Sequence, residues 1–88
     1  MANKEMANKE VANKEVVIYT TPSCPWCHRA KEYFSRKGVS YIEHDVAADR
    51  DKAREMIEKS KQMGVPVIII DGEVVVGFNQ SRLDSLLS

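Results

Sequence analysis

The stretch Val16-Val17-Ile18-Tyr19-Thr20 narrows the folding options of this 88-residue chain more than any other feature. It is short, apolar and β-branched, so it reads as a buried strand rather than one with a wet face. Thr21-Pro22-Ser23 breaks it, and a helical pattern opens at once. Pro25 fits the first turn of that helix, where its missing N–H is no loss. Cys27, Ala30, Phe34 and Lys37 fall on one face, with Arg29, Lys31 and Glu32 elsewhere. Gly38 closes the helix as a C-terminal cap. A crossover helix calls for a next strand parallel to the first. Val39 to Asp45 supplies it, with Tyr41 and Ile42 as its core candidates.

The remaining pattern alternates in the same way. Asp49 to about Lys61 reads as a second helix, with Ala53, Met56, Ile57 and Ser60 on its inner face. Asp49 and Asp51 sit in its first turn, where carboxylates complement the helix dipole. Val65-Pro66-Val67-Ile68-Ile69-Ile70 is a third strand, Asp71-Gly72 a two-residue hairpin signal, and Glu73 to Val76 the returning fourth strand. Gly77-Phe78 leads into a last helix from about Asn79, with Leu83, Leu86 and Leu87 facing inward. The order β-α-β-α-β-β-α is that of an α/β domain: a mixed four-stranded sheet with helices on its faces.

A chain of this length makes one compact domain. Met-Ala-Asn-Lys-Glu stands at 1–5 and 6–10, and Val-Ala-Asn-Lys-Glu at 11–15. That period matches no strand, helix or heptad. Residues 1–15 are therefore read as a repetitive polar tail with no catalytic role, and residues 16–88 as the domain. Lysine plus arginine and aspartate plus glutamate balance at 13 each. The balance argues against a nucleic-acid or membrane-surface binder, which carries a basic excess. No apolar run nears the roughly 18 residues that span a bilayer, and the N-terminus lacks the apolar core of a secretory signal. A monomer in the reducing cytoplasm is expected.

Only two cysteines occur, three positions apart, at Cys24 and Cys27. In the cytoplasm such a pair points to redox chemistry or metal binding rather than a structural staple. Cys24 lies where the first strand gives way to the helix, so its sulfur should meet unpaired N–H groups and the positive end of the dipole. Both favour thiolate, the species that attacks a disulfide. Cys27, one turn further in, is more buried and placed to resolve a mixed disulfide formed at Cys24. Trp26 offers an apolar face next to the reactive sulfur. Competing readings of the same residues are haem attachment through Cys24-Pro25-Trp26-Cys27-His28 with Met63 as a distal ligand, and a metal site using His28 or His44. A further one is a cluster shared between two chains. No bound cofactor and no metal are expected; His28 reads as a surface helix residue, and His44 is given no role.

Taken together, Tyr19-Thr20, Cys24-Pro25-Trp26-Cys27, Val65-Pro66 and Gly77-Phe78 resemble the glutaredoxins, in order and spacing through residues 16–88. The likeness is closest to the small glutaredoxin-like redoxins of the thioredoxin superfamily. It implies a thioredoxin-like fold of strand order 2-1-3-4, with the third strand antiparallel to the first. It implies a cis bond before Pro66, leaving the Val65 backbone free to pair with an extended substrate. It implies an oxidoreductase that reduces protein or glutathione mixed disulfides, with glutathione as co-substrate. The alternative class is a thioredoxin-fold binding module or a dimeric iron–sulfur carrier. Pro25, Trp26, Val65, Pro66, Gly77, Phe78, Asn79 and Gln80 fall at the family's substrate and glutathione positions. Two departures stand out. Asn79-Gln80 replaces the family's acidic pair, and Thr21-Pro22 replaces its basic residue before the first cysteine. Both fit a redoxin recycled by a thioredoxin-reductase-type flavoenzyme about as well as one recycled by glutathione. Phe78 and Asn79 also read simply as a core plug and an N-cap.

Overall fold

Alternation along the apolar runs decides how the sheet is covered. In the computed structural model, which describes residues 15–87, β1 (Val16–Thr20), β2 (Ile42–Asp45), β3 (Val67–Ile70) and β4 (Glu73–Val76) form one sheet in the order β2-β1-β3-β4. β1 runs parallel to β2, with Val17 opposite Ile42 and Thr20 opposite Asp45. It runs antiparallel to β3, with Val16 opposite Ile70 and Tyr19 opposite Val67. The expected mixed sheet and its order are thus what the chain forms.

Val16, Ile18, Ile68, Ile70 and Val75 point to one face. There they meet Ala30, Tyr33 and Phe34 of α1 (Pro25–Lys37) and Leu83 and Leu87 of α3 (Gln80–Leu87). Tyr19, Val67 and Ile69 point to the other face and pack with Met56 of α2 (Arg50–Ser60). Both faces of β1 and β3 are covered, which is why neither strand carries a polar alternation. Asp71 (φ 49°) and Gly72 (φ 88°) both take the left-handed backbone that a two-residue hairpin turn with the strand twist requires. Glu15 is clasped to that turn: its N–H donates to Asp71 Oδ1 and its carbonyl accepts the Asp71 N–H, each at 2.9 Å.

Several expectations need correction. β2 begins at Ile42, not Val39. Val39 is buried, but as the residue after the Gly38 cap, with its N–H donating to Phe34 O at 2.9 Å. Ile42 is 53% exposed, because β2 is an edge strand and an open crevice separates Ile42 from Lys52 and Glu55 of α2. Tyr41 does pack against the core. On α2 only Met56 is buried and Ile57 is exposed. Lys37 is likewise exposed, while Tyr33 takes the inner face of α1. β3 begins at Val67, so Val65 and Pro66 precede it. Asn79 is the N-cap that its residue type suggests, just ahead of α3. The repetitive segment, apart from Glu15, lies outside the described residues. Among the described residues no helix is long and apolar enough to cross a membrane.

Polar bonds tie the layers together. The buried Thr20 hydroxyl donates to Glu43 at 2.6 Å, and Lys31 pairs with the same carboxylate at 3.0 Å. The Tyr19 hydroxyl donates to Glu55 at 2.6 Å, and the Tyr33 hydroxyl donates to Asp84.

Two outcomes follow. Ile18→Ala removes a fully buried side chain from the middle of the sheet and should cost about 2–5 kcal/mol of unfolding free energy in denaturant titration. The Thr20 hydroxyl, and then Lys31, hold the Glu43 carboxyl below the usual carboxylate range. The unfolded chain therefore binds the proton first, and this contribution is complete above about pH 5 and lost on further acidification. Glu43→Gln should flatten the fall of stability with acid, as read from unfolding midpoints across that range.

Candidate functional site

The turn out of β1 is closed by the Cys24 N–H donating to Thr21 O at 3.3 Å. Cys24 then caps α1 with an extended backbone (φ −96°, ψ 111°), and its Sγ accepts the Cys27 N–H at 3.2 Å. A cap of this kind ordinarily uses a hydroxyl, amide or carboxylate oxygen. Here a sulfur takes the place, with Pro25 opening the helix and no acidic residue in the first turn to oppose a thiolate. Both cysteines are free thiols.

Their surroundings differ sharply. Cys24 is half-buried, whereas Cys27 is fully buried. Burial pushes the Cys27 thiol up to about 12, helped by its hydrogen bond with Cys24 and opposed by the Thr21 backbone and the Lys31 ammonium. The Cys27 N–H points at Cys24 Sγ, while desolvation keeps the proton on Cys27.

Two loops complete the site. The Val65–Pro66 peptide is cis, as the resemblance implies, and Val65 O lies 3.9 Å from Cys24 Sγ. The Gly77 N–H donates to Pro66 O at 2.8 Å, which ties the turn before α3 to that proline. Gly77 has φ 81°, a backbone that side chains with a Cβ rarely adopt. Trp26, Val65, Pro66, Gly77 and Phe78 line a cleft of about 220 Å³. Trp26 is 54% exposed, and its ring centroid lies 6.4 Å from that of Phe78. Phe78 rests edge-on against Tyr33 at 5.7 Å, so the cleft floor continues into the core.

The sequence-derived positions therefore converge, with two qualifications. Asn79 turns its side chain to the helix, Oδ1 accepting the Arg82 N–H at 3.2 Å. Gln80 lies in the neighbouring groove along α1 rather than in the cleft. His28 is exposed and braces the loop, its Nε2 donating to Pro22 O at 3.1 Å. His44 stands by Tyr19 in the other layer at 5.5 Å, and Met63 is 76% exposed. Among the described residues no three histidine, cysteine or acidic side chains gather as a metal would need. Sequence reading missed Arg29, whose guanidinium lies 4.9 Å over the Trp26 ring. The i, i+3 spacing of an aromatic and an arginine on a helix is the signal that would have found it.

The sequence profile of the glutaredoxin family matches residues 16–75. A glutaredoxin-like 8.6 kDa protein encoded in a rubredoxin operon of Clostridium pasteurianum, itself uncharacterised, is 47% identical over 72 residues, covering 82% of this chain and 96% of its own. Glutaredoxin 3 of Escherichia coli K12 is 45% identical over 62 residues, covering 70% of this chain and 75% of its own. The crystal structure of a glutaredoxin from Archaeoglobus fulgidus superimposes with a TM-score of 0.76 at 26% identity, covering 83% of this chain and 85% of that one. Fold, profile and relatives all agree over the stretch that holds the cysteine pair, and on that ground the chain belongs to the glutaredoxin family of thiol–disulfide oxidoreductases.

Proposed function

We propose that this protein reduces protein and glutathione mixed disulfides, with Cys24 as the attacking thiolate and Cys27 as the resolving thiol. One observation carries the reading. Two sulfurs a single turn apart occupy opposite environments, one half-buried and hydrogen-bonded by an N–H, the other fully buried, where desolvation pushes the thiol up. Cys24 Sγ attacks one sulfur of the substrate disulfide, and the other sulfur leaves and takes a proton from solvent. Cys27 then gives up its proton and attacks Cys24 Sγ. That step forms the Cys24–Cys27 disulfide and releases the second substrate thiol, so two electrons pass in all.

The loops suit an extended substrate. Val65 lies outside the sheet ladder beside Cys24, where its backbone can serve as one more strand rung. The cleft between Trp26 and Phe78 takes an apolar side chain or the body of glutathione next to the sulfur under attack. At the entry to α3 the Asn79 amide is committed to capping, and Gln80 is neutral. A glutathione ammonium finds no carboxylate at those two positions, and this favours a thioredoxin-reductase-type flavoenzyme as the electron donor.

Cys24→Ser should abolish turnover of a small mixed disulfide. Cys27→Ser should keep the first step and accumulate the mixed disulfide, seen as a mass adduct at Cys24. In the unsubstituted protein, release of that adduct should speed up with pH, because the fraction of Cys27 thiolate grows about tenfold per unit below the thiol's pKa; a pH-independent release would contradict the resolving role. Turnover coupled to NADPH should be faster with thioredoxin reductase than with glutathione plus its reductase, and the opposite ranking would overturn the choice of donor.

A further inference from the structure

The exposed flank of α1 beside the cysteine pair carries an unbalanced set of cations. The helix holds Arg29, Lys31, Arg36 and Lys37 against Glu32 alone, in a chain of zero formal charge. Two of these are matched: Lys31 lies 3.0 Å from Glu43, and Lys37 3.3 Å from Asp84. Among the described residues no carboxylate lies within ion-pair reach of Arg29 or Arg36. These two arginines, with His28, Glu32, Phe78 and Gln80, line a groove of about 430 Å³. Phe78 also lines the cleft beside Trp26, so the groove adjoins that cleft at the Phe78 ring. The Arg29 guanidinium carbon lies 4.9 Å over the Trp26 ring. A stacked guanidinium keeps its in-plane N–H groups available to a carboxylate.

We infer that this groove is a docking track for an acidic segment of the partner protein, so that the preferred substrates are disulfides whose cysteine lies in a carboxylate-bearing stretch of chain. The inference rests on the exchange chemistry proposed above and adds the substrate class. Helix rise sets the spacing. At about 1.5 Å per residue, Arg29 and Arg36 lie about 8 Å and 18 Å along α1 from Cys24. An extended chain advances about 3.3 Å per residue, so the matching carboxylates stand about two and about five residues from the substrate cysteine. Exposed ion pairs of this kind act chiefly on encounter and weaken with salt, which places the effect in kcat/KM rather than in kcat.

The test uses the full chain as its dithiol form and three symmetrical disulfides of one short peptide. The peptide carries Glu, Gln or Lys at the second and fifth positions from its single cysteine. Each reaction converts the dithiol to the Cys24–Cys27 disulfide and yields two peptide thiols, followed by chromatography. The Glu peptide should react fastest and the Lys peptide slowest, with Glu over Gln by about threefold to thirtyfold at low salt. The preference should vanish in about 0.5 M salt. It should also vanish in the Arg29→Gln, Arg36→Gln double variant, where the Glu and Gln peptides react at equal rates, and invert towards the Lys peptide in Arg29→Glu, Arg36→Glu. Equal rates for the Glu and Gln peptides overturn the docking track while leaving the exchange chemistry intact. A Glu preference that survives in the double Gln variant overturns its assignment to this groove. Failure to reduce any of the three peptides instead overturns the role given to Cys24.

Discussion

The hydrogen bond from the Cys27 N–H to Cys24 Sγ is the contact on which this site turns. It starts helix α1, because the cap satisfies a donor that would otherwise be left without a partner. It also marks out one sulfur as different from the other, because Cys24 Sγ receives the N–H that anchors the helix, whereas Cys27 Sγ is buried behind it. Folding and reactivity are coupled through one atom. The placement of that atom depends on β1, which is buried on both faces and hands the chain directly to the turn closed by the Cys24 N–H on Thr21 O.

Much of this fold could be read from the chain because β1 and β3 are covered on both sides and so lack any polar alternation. What failed were the places where an apolar residue serves something other than a sheet. Val39 looks like the first residue of a strand, yet it seals the end of α1. Nothing local separates a capping hydrophobe from a strand hydrophobe. Ile42 has β-strand character and a strand conformation, but the edge position and the open crevice before α2 leave it open to water. Ile57 differs from Met56 by about 100° around the helix axis, and only tertiary packing decides which of the two meets the sheet.

The site divides in the same way. The roles suggested for Cys24 and Cys27 need only the geometry of one turn, so sequence spacing reached them. Val65, Pro66, Gly77 and Phe78 come from far along the chain, and it was resemblance, not local physics, that brought them beside the sulfurs. The Thr20–Glu43–Lys31 group was missed for a related reason. It exists only through the parallel register that sets Ile18 opposite Glu43. Arg29 over Trp26 lies within one helix and was within reach of a spacing argument.

The clasp between Glu15 and Asp71 gives the molecule a polarity. From that clasp β1 travels five residues, about 17 Å, before it reaches the cysteine turn. Glu15 and the hairpin turn thus stand at the pole remote from the sulfurs. Strain applied to β1 at Glu15 would meet the two hydrogen bonds of the clasp, and so load the hairpin turn, before it reached the cysteine turn.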